Sequence, residues 1–319
     1  MFLSIITPFY NCFGTIKKCI SSLERQSCRD FELILIDDAS TDVSTKHLDQ
    51  LVQSADISIQ LLHNDKNHGP GYSRNRGIQI AQGDYLLFLD SDDWLHDNAI
   101  HTLKQLISKH AYDCVIFDYF IVSSRQTLRS TVEKRNQGEL KREDALLYSS
   151  GSVWCKQYRS SIITENNITF PDIYIKEDMV FNKLALSCCK NIFYLEEGLY
   201  YYKIHPNSLM HSEKAYDIRN DIIAFQVLAE NLSQYPDILT ALMLRELLYA
   251  GTLHMLCSGS CKKDISAFVS GIKNRYPSCL THPYIAELPF RMRLFLFGIK
   301  HRLWRLLYIM AYLKIKCRR

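Results

Sequence analysis

Strand-like and helix-like segments alternate four times within the first 110 residues. Apolar runs rich in β-forming residues cover Phe2–Ile6, Phe31–Ile36, Ile57–Leu62 and Tyr85–Leu89, and each is paired with a segment of helical spacing. Alternation of this kind predicts a parallel sheet whose strands are joined by right-handed helical crossovers. We therefore expect an α/β fold with a mostly parallel, Rossmann-like sheet.

The pattern changes further along the chain. Residues 113–132 and 192–202 are strand-like, whereas 141–149 and 158–166 have helical spacing. Beyond about residue 215 only helical spacing remains, which indicates a separate helical region. The predicted regions are 1–110, 111–215 and 216–319.

The net charge of +4 conceals an asymmetry along the chain. Residues 1–110 carry a net −4, residues 111–215 balance, and residues 216–319 carry +8. This distribution predicts a metal or nucleotide site ahead of a surface-binding end. The 11 cysteines form no C-x-x-C pair, which is typical of reduced thiols in a cytosolic protein. We expect neither a signal peptide nor a transmembrane helix, because no basic residue precedes the first apolar run and no apolar stretch is long enough.

A cluster of carboxylates follows the fourth predicted strand directly. Asp90, Asp92 and Asp93 fall within four positions, with Ser91 between the first two. Ligands of open α/β sheets bind outside the carboxyl ends of the strands, and oxygen clusters suit Mg²⁺ or Mn²⁺ holding a diphosphate. The alternative is that one of these side chains caps a helix that begins near Leu95.

Four motifs, in this order and spacing, resemble those of the GT-A-fold family 2 glycosyltransferases, which are inverting enzymes that use sugar nucleotides. The motifs are Thr7-Pro8-Phe9-Tyr10-Asn11, Ile36-Asp37-Asp38-Ala39-Ser40-Thr41-Asp42, Ser73-Arg74-Asn75-x-Gly77 and Asp90-Ser91-Asp92-Asp93. A second block is similar to the bacterial branch that builds capsules, lipopolysaccharide O-chains and teichoic-acid decorations. That block is Trp154-Cys155-Lys156, Phe170-Pro171 and Lys176-Glu177-Asp178. The resemblance covers roughly residues 1–210.

The resemblance implies a divalent metal ion, Mn²⁺ or Mg²⁺, at the carboxylate cluster. Asp90 and Asp92 would form the DXD motif, with Asp92 as the direct ligand and Asp93 as a possible second one. Such an ion stabilises the charge that develops on a nucleotide diphosphate leaving group. His205 is a further candidate ligand, with a structural role as its alternative.

The resemblance also assigns the nucleotide site. Asp38 would accept a hydrogen bond from the base, and Pro8 and Tyr10 would line the base pocket. Arg74, on a helix that opens with glycines, would contact ribose or phosphate, and Asp90 is a further nucleotide-binding candidate. The alternative for Arg74 is a solvated helix face.

Inversion by a single displacement needs a base that takes the proton of the acceptor hydroxyl. Asp178 matches the family's base, with Glu177 beside it as the second candidate. Asp178 is expected at the start of a helix, where the dipole would favour its ionised form. The alternative is that Glu177 and Asp178 only balance that dipole.

Further candidates follow the same resemblance. Lys203 and Ser208 lie in a segment that resembles a loop closing over the diphosphate, although relatives commonly carry arginine at the position of Lys203. Trp154 is expected either to stack on a sugar ring or to lie in the core. Lys156 is a candidate for the acceptor site or for phosphate.

The last thirty residues are predicted from their own composition. Residues 290–319 contain nine Lys and Arg and no acidic residue. One helical face would carry eight apolar residues: Phe295, Leu296, Ile299, Leu303, Leu306, Leu307, Met310 and Leu313. We predict a helix lying in the plane of an anionic membrane, with a helix packed on the catalytic domain as the alternative.

These patterns together predict a glycosyltransferase that moves a sugar from a nucleotide-sugar donor, UDP-linked in most relatives, to a bacterial surface glycan or its lipid-linked oligosaccharide precursor. It would act in the cytoplasm, at the inner face of the cell membrane, without a nucleic-acid partner. The first alternative is a nucleotide-binding scaffold without turnover, which the joint presence of Asp38, Asp92 and Asp178 disfavours. A dehydrogenase is disfavoured because the turn after the first strand lacks G-x-G-x-x-G.

Overall fold

Alternating strands and helices build the first part of the chain, as the sequence pattern predicts. The computed structural model describes residues 1–42, 44–131, 136–204 and 217–318. The strands are β1 Leu3–Phe9, β2 Phe31–Asp37, β3 Ile59–His63, β4 Tyr85–Phe88, β5 Trp94–Leu95, β6 Cys114–Val122, β7 Thr127–Ser130, β8 Gly138–Leu140, β9 Lys156–Arg159 and β10 Ile192–Lys203.

The helices lie between these strands and then continue alone. They are α1 Phe13–Glu24, α2 Ser44–Ser54, α3 Pro70–Ile80, α4 Ala99–Lys109, α5 Arg142–Tyr148, α6 Ser160–Glu165, α7 Glu177–Cys188, α8 Ile218–Asn231, α9 Pro236–Leu242, α10 Thr252–Cys257, α11 Lys262–Arg275, α12 Phe290–Lys300 and α13 Trp304–Arg318. A π-helical segment, Met243–Gly251, joins α9 to α10. No helix of the described residues is both long and apolar enough to cross a bilayer.

One ten-stranded sheet organises the strands in the order β3-β2-β1-β4-β9-β6-β10-β5, with β7 and β8 added at its flanks. The ladders with five or more residue pairs are all parallel: β1 with β2, β2 with β3, and β6 with β10. Short antiparallel ladders join β9 to both β4 and β6. The predicted α/β class with a C-terminal helical region is confirmed. Because β1 lies between β2 and β4, the strand order reverses there, and the crevice at the carboxyl ends of these strands is where ligands of such sheets bind.

Two local expectations were wrong: that Pro8 breaks the first strand and that a helix begins near Leu95. β1 continues to Phe9 and pairs Pro8 with Ile36 of β2. On its other side, β1 pairs with β4 only as far as Ile6. The N–H group that Pro8 lacks would therefore have no partner strand on that side. No helix begins near Leu95, which belongs to β5. The predicted helix at 158–166 is confirmed as α6, and its first two residues belong to β9 instead.

The chain divides into two compact units, Met1–Pro206 and Asn207–Arg319. The first contains the whole sheet and the second is helical among its described residues. From the resemblance to family 2 glycosyltransferases, residues 1–110 are expected to bind the nucleotide sugar and residues 111–215 the acceptor, and this division of the first unit stays a prediction.

The predicted single helix over the C-terminal thirty residues was wrong. Two helices, α12 and α13, are separated by a turn in which Arg302 has a left-handed φ of 55°. Among the apolar residues of the predicted face, Phe295, Leu296, Ile299 and Leu307 are buried inside the helical unit. These four residues are therefore not available to a membrane, whereas Leu313 of the predicted face is exposed.

Candidate active site

The loops that follow β1 and β2 are tied together by Asn11. Its side-chain Oδ1 accepts hydrogen bonds from the backbone N–H groups of Thr41 and Asp42, at 2.8 and 3.2 Å. Its own backbone N–H donates to Oγ of Ser40 at 3.0 Å. Both Asn11 and Ala39 have left-handed φ values, 48° and 59°. Strained conformations of this kind persist where the surrounding contacts enforce them and are concentrated at functional sites.

Asp38 connects the end of β2 to the loop before α3. This buried carboxylate accepts hydrogen bonds from Nδ2 of Asn64 at 2.6 Å and from the backbone N–H groups of His68 and Gly69 at 3.0 and 2.7 Å. Gly69 adopts a φ of 88°, which its missing side chain permits. Asp38 thus shapes this loop, and its predicted contact with a nucleotide base stays a prediction.

Each residue of the Ser73–Gly77 motif on α3 has its own packing role. Oγ of Ser73 accepts from Asn64, while the Asn75 side chain makes two hydrogen bonds of 2.8 Å with the backbone of Phe170. A Cβ at Gly77 would lie 2.5 Å from Ile6 of β1, so only glycine lets the helix approach the sheet this closely. These contacts hold α3 against β1 and fix the direction of Arg74.

Arg74 joins the carboxylate cluster to the predicted base. Its Nη2 donates to Oδ1 of Asp90 at 2.8 Å, and its Nη1 donates to Oδ1 of Asp178 at 2.6 Å. Oε1 of Glu177 lies 3.6 Å from the same Nη1. The guanidinium is only 4% exposed, and its Nε has no acceptor among the described residues. The structure therefore pairs Arg74 with three carboxylates, and its predicted contact with ribose or phosphate stays a prediction.

Glu177 and Asp178 open α7, and the residue before them, Lys176, has a left-handed φ of 76°. Burial, with the neighbouring Asp178 charge, raises the pKa of Glu177 to about 7 against the opposing effect of Arg74. Burial also raises the pKa of Asp178 to about 6, where Arg74 opposes and Asp90 adds to the rise. Burial alone would lower the pKa of Arg74, but the three carboxylates raise it above its ordinary value.

The expected effect of the helix dipole on Asp178 was therefore outweighed. Asp178 does begin a helix, as predicted, yet its pKa is raised rather than lowered. The physical reason is that the loss of hydration inside the site costs the ionised carboxylate more than a helix terminus returns. A carboxyl with a pKa near neutrality can take a proton and release it again, which suits a general base.

Asp93 differs from the rest of its cluster. It is buried, its Oδ2 accepts from the hydroxyl of Tyr200 at 2.7 Å, and its Oδ1 accepts from the backbone N–H of Lys203, also at 2.7 Å. Burial, together with the charges of Asp90 and Asp92, raises the pKa of Asp93 to about 9. Both oxygens therefore hold the end of β10, and the predicted share of Asp93 in binding the metal ion stays a prediction. The alternative that one of these side chains caps a helix near Leu95 was wrong, because the next helix, α4, begins only at Ala99.

The described residues fit a metal ion that binds together with the phosphates of a substrate. They contain no group of three or more His, Cys, Asp or Glu side chains placed to hold a metal ion. Mg²⁺ is usually bound through one or two carboxylates, with substrate phosphates and water completing its shell. Asp90 and Asp92, partly exposed at the end of β4, supply that number of oxygen ligands. His205 and Ser208 lie outside the described residues.

Trp154 and Lys156 lie in the interior. The Trp154 ring stacks against Tyr200 and Tyr202, with centroids 4.7 and 5.4 Å apart, within the core of the sheet. Nζ of Lys156 donates to the backbone carbonyls of Ser150 and Ser152, and the side chain is fully buried. These contacts favour the core alternative for Trp154 and a structural role for Lys156, and the predicted sugar contacts stay predictions.

Lys203, Pro8 and Tyr10 lie at the same end of the sheet as the carboxylate cluster. Lys203 ends β10, and its charge adds to burial in lowering the pKa of Lys18. Pro8 is buried within β1, whereas Tyr10 directly beyond the strand is 45% exposed. Tyr10 is therefore available to a ligand, and Pro8 supports the strand beneath it.

Sequence reasoning missed the partners of these motifs. Asn64 and Tyr200 position Asp38 and Asp93, but neither stands in a pattern that suggests a ligand. Phe170 lies in a motif of the second block, but its hydrogen bonds with Asn75 were not expected. Tyr200 sits 107 residues from Asp93 along the chain, in a strand whose aromatic run predicted only β structure.

Comparison with known proteins identifies the family. The model of glycosyl transferase family 2 matches residues 4–165, which is half of the chain and includes the motifs of β1, β2, α3 and β4. The chain belongs to this family. Related sequences include EpsH of Bacillus subtilis, 28% identical over 65% of this chain and 62% of its own length. The poly(ribitol-phosphate) β-glucosyltransferase of Bacillus spizizenii is 30% identical over 64% of this chain, a match that spans only 32% of that enzyme.

Solved structures show the same fold. TarS residues 1–349 of S. aureus, solved in complex with UDP-GlcNAc, superposes with a TM-score of 0.74 at 21% identity and covers 98% of this chain and 89% of that one. The mannosyltransferase PcManGT from Pyrobaculum calidifontis, in complex with GDP-Man and Mn²⁺, gives 0.57 at 13% identity over 98% and 86%. The GT-A-like α/β architecture with C-terminal helices is confirmed.

Proposed function

We propose that this protein transfers a sugar, with inversion, from a UDP-linked donor to a hydroxyl of a bacterial surface glycan or its lipid-linked precursor. The observation that carries the proposal is the Arg74 junction, which holds Asp90 at the end of β4 and Asp178 at the start of α7 on one guanidinium. In this proposal Asp90 acts on the diphosphate side of the reaction and Asp178 on the acceptor side. The matched motifs of family 2 support these roles.

Asp178 acts as the general base. It accepts the proton of the acceptor hydroxyl while the oxygen of that hydroxyl forms a bond to the anomeric carbon and the bond to the diphosphate breaks. The nucleoside diphosphate leaves with the electron pair, so the displacement needs no other reactant. Arg74 orients the Asp178 carboxylate through a charge-assisted hydrogen bond of 2.6 Å. Glu177, whose Oε1 lies 3.6 Å from Nη1 of Arg74, is the second candidate for the general base.

Asp92, with Asp90, would hold Mn²⁺ or Mg²⁺ on the donor diphosphate. When bound, such an ion supplies Lewis-acid stabilisation of the charge on the leaving group. Asp90 would be oriented for this role by the 2.8 Å hydrogen bond that its Oδ1 accepts from Arg74. Lys203 adds a point charge at the same end of the sheet.

Nucleotide recognition is assigned to the loops after β1 and β2. Tyr10, exposed beyond the end of β1, would line the base pocket. Asp38, which holds the loop that begins α3, would accept a hydrogen bond from the base. UDP as the carrier is supported by the TarS complexes with UDP and UDP-GlcNAc. A polymer acceptor is supported by the poly(ribitol-phosphate) transferases among the relatives. The proposed place of action is the inner face of the cell membrane, where lipid-linked acceptors are found.

A screen of UDP-sugars and GDP-sugars for donor hydrolysis, with Mn²⁺ and with excess EDTA, tests the proposal. We expect hydrolysis of at least one UDP-sugar in the presence of Mn²⁺ and a loss of several orders of magnitude in EDTA or in Asp92→Asn. Asp84→Asn, which removes an exposed carboxylate elsewhere in the same unit, serves as the matched control.

Two outcomes would contradict different parts of the proposal. Full activity of Asp92→Asn and of the wild type in EDTA would remove the metal ion from the mechanism but leave transfer standing. Tight UDP binding without hydrolysis or transfer of any donor would favour the alternative of a nucleotide-binding scaffold.

A further inference from the structure

The outward face of α13 is apolar. Tyr308, Ile309, Tyr312 and Leu313 are between 40% and 57% exposed, and their spacing of three and four residues places them on one side of the helix. Exposed large apolar side chains are ordinary when scattered, but four on one helical face form a continuous surface.

The inward face of the same helix is apolar as well. Leu307 is fully buried and Ala311 nearly so. A Cβ added at Gly298 of α12 would lie 2.8 Å from Cδ2 of Leu307, which shows how closely the two helices pack. A helix that is apolar all round is normally enclosed on all sides. Within the described residues, α13 is enclosed on one side only.

Basic residues frame this face. Exposed Arg305 and Lys316 continue its helical spacing at the two ends, and Nζ of Lys316 lies 5.3 Å from the centroid of the Tyr312 ring. On α12 the exposed side chains of Phe290 and Phe297 repeat the combination. They alternate at spacings of three and four with two exposed basic residues, Arg293 and Lys300.

We propose that this aromatic–basic face, formed by the exposed side chains of α13, binds the surface of an anionic lipid bilayer. Apolar and aromatic side chains with flanking Lys and Arg are the composition of helices that lie at the boundary of headgroups and acyl chains. The tyrosines suit that boundary because each presents an apolar ring and a polar tip. The basic side chains lie over the headgroups, where each one adds to the attraction toward anionic lipid.

Charge selects the bilayer over a second copy of the chain. Residues 290–319 contain nine basic residues and no acidic one. A dimer that packed this face against itself would bring like charges together around the apolar centre, which is costly. An anionic lipid surface instead complements both the apolar centre and the basic frame.

Flotation of the full-length protein with vesicles tests the proposal. The vesicles contain phosphatidylcholine alone or phosphatidylcholine with phosphatidylglycerol. We expect binding only to the anionic vesicles, and we expect it to weaken as salt rises.

Two double variants with matched controls locate the surface. Ile309→Ser with Leu313→Ser removes apolar contact, and its control is Ile223→Ser, a 43% exposed residue on α8 of the same unit. Arg305→Gln with Lys316→Gln removes two charges, and its control is Lys109→Gln with Arg125→Gln in the first unit. Each test variant should lower vesicle partitioning at least about tenfold, and the controls should leave it unchanged.

Three results would overturn the proposal: absence of binding to anionic vesicles, equal binding to both vesicle types at all salt concentrations, or unchanged binding of both test variants. A dimer in solution that the Ile309→Ser with Leu313→Ser variant dissolves would assign the face to a second copy instead. Donor hydrolysis without vesicles is measured in parallel. Absence of donor hydrolysis by the wild type would contradict the proposed function and leave the vesicle result unaffected.

Discussion

The two units depart from the usual distribution of side chains in opposite ways. The first buries charge: Arg74 and the carboxyls it contacts lie in a largely desolvated site. The second exposes apolar surface on α13, where Ile309 is 56% exposed. Charged residues are rarely buried unless paired, and contiguous apolar surface is rarely left in water.

The difference lies in where each departure finds its partner. The buried charges satisfy one another, because one guanidinium serves Asp90, Glu177 and Asp178. Within the described residues, only Nε of this guanidinium lacks an acceptor. The exposed side chains of α13 face away from the protein, because the opposite side of the helix is the one that packs, with Leu307 buried there. The first unit is thus arranged for a small anionic ligand and the second for an extended surface.

The largest expected effect tests the buried charges. Asp178→Asn keeps an acceptor for Arg74 but cannot take a proton, so transfer should fall by about 10²- to 10⁴-fold. UDP binding, measured by calorimetry, should stay within a factor of two or so, since the base faces the acceptor. Near-normal transfer by this variant would move the base to Glu177.

The next effect concerns the guanidinium that keeps these carboxylates together. Arg74→Ala leaves Asp90, Asp178 and Glu177 without their cation, and removal of one partner of a buried ion pair typically costs about 3–5 kcal/mol. The free energy of unfolding of the full chain, measured with urea, should fall by about that amount. Arg125→Ala, at an exposed arginine, is the matched control. Equal stability of the two variants would show that the buried network contributes little.

A pair of substitutions on α13 sharpens the other side of the comparison. Leu307→Ala should lower the free energy of unfolding by about 2–5 kcal/mol, because it leaves a cavity beside Gly298. Ile309→Ala, two residues away and 56% exposed, should change it by about 0.5 kcal/mol or less. A similar loss in both variants would show that the outward face is packed against protein rather than presented to a partner.

The smallest expected effect is a pH dependence. The base must be ionised, so transfer should fall as pH falls through the pKa of Asp178, about 6, with a loss of about tenfold per unit below it. The folded chain also holds this proton more tightly than the unfolded chain does, so Asp178 contributes less stability as pH rises through this range. Glu177→Gln should keep the profile of transfer rate against pH. Loss of this pH dependence in the variant would identify Glu177, whose pKa is about 7, as the titrating base.

The sequence could predict the order of strands and helices, because apolar periodicity is a local property. It also placed the motifs of Asp38 and Asp90 at strand ends, where the parallel arrangement brings them to one edge of the sheet. It could not predict that Asp93 accepts a hydrogen bond from Tyr200. Adjacent carboxylates look alike in a sequence, and burial separates their roles.

Local spacing thus determined the α/β fold, the positions of the motifs and the basic character of the C-terminal end. Only the tertiary structure decided that Arg74 meets Asp178, 104 residues away, because that contact depends on how α3 and α7 pack around the sheet. It also decided which face of α13 is buried. An apolar residue on either side of that helix satisfies the same periodicity, and the left-handed turn at Arg302, with the close approach at Gly298, turns Leu307 inward and Ile309 outward.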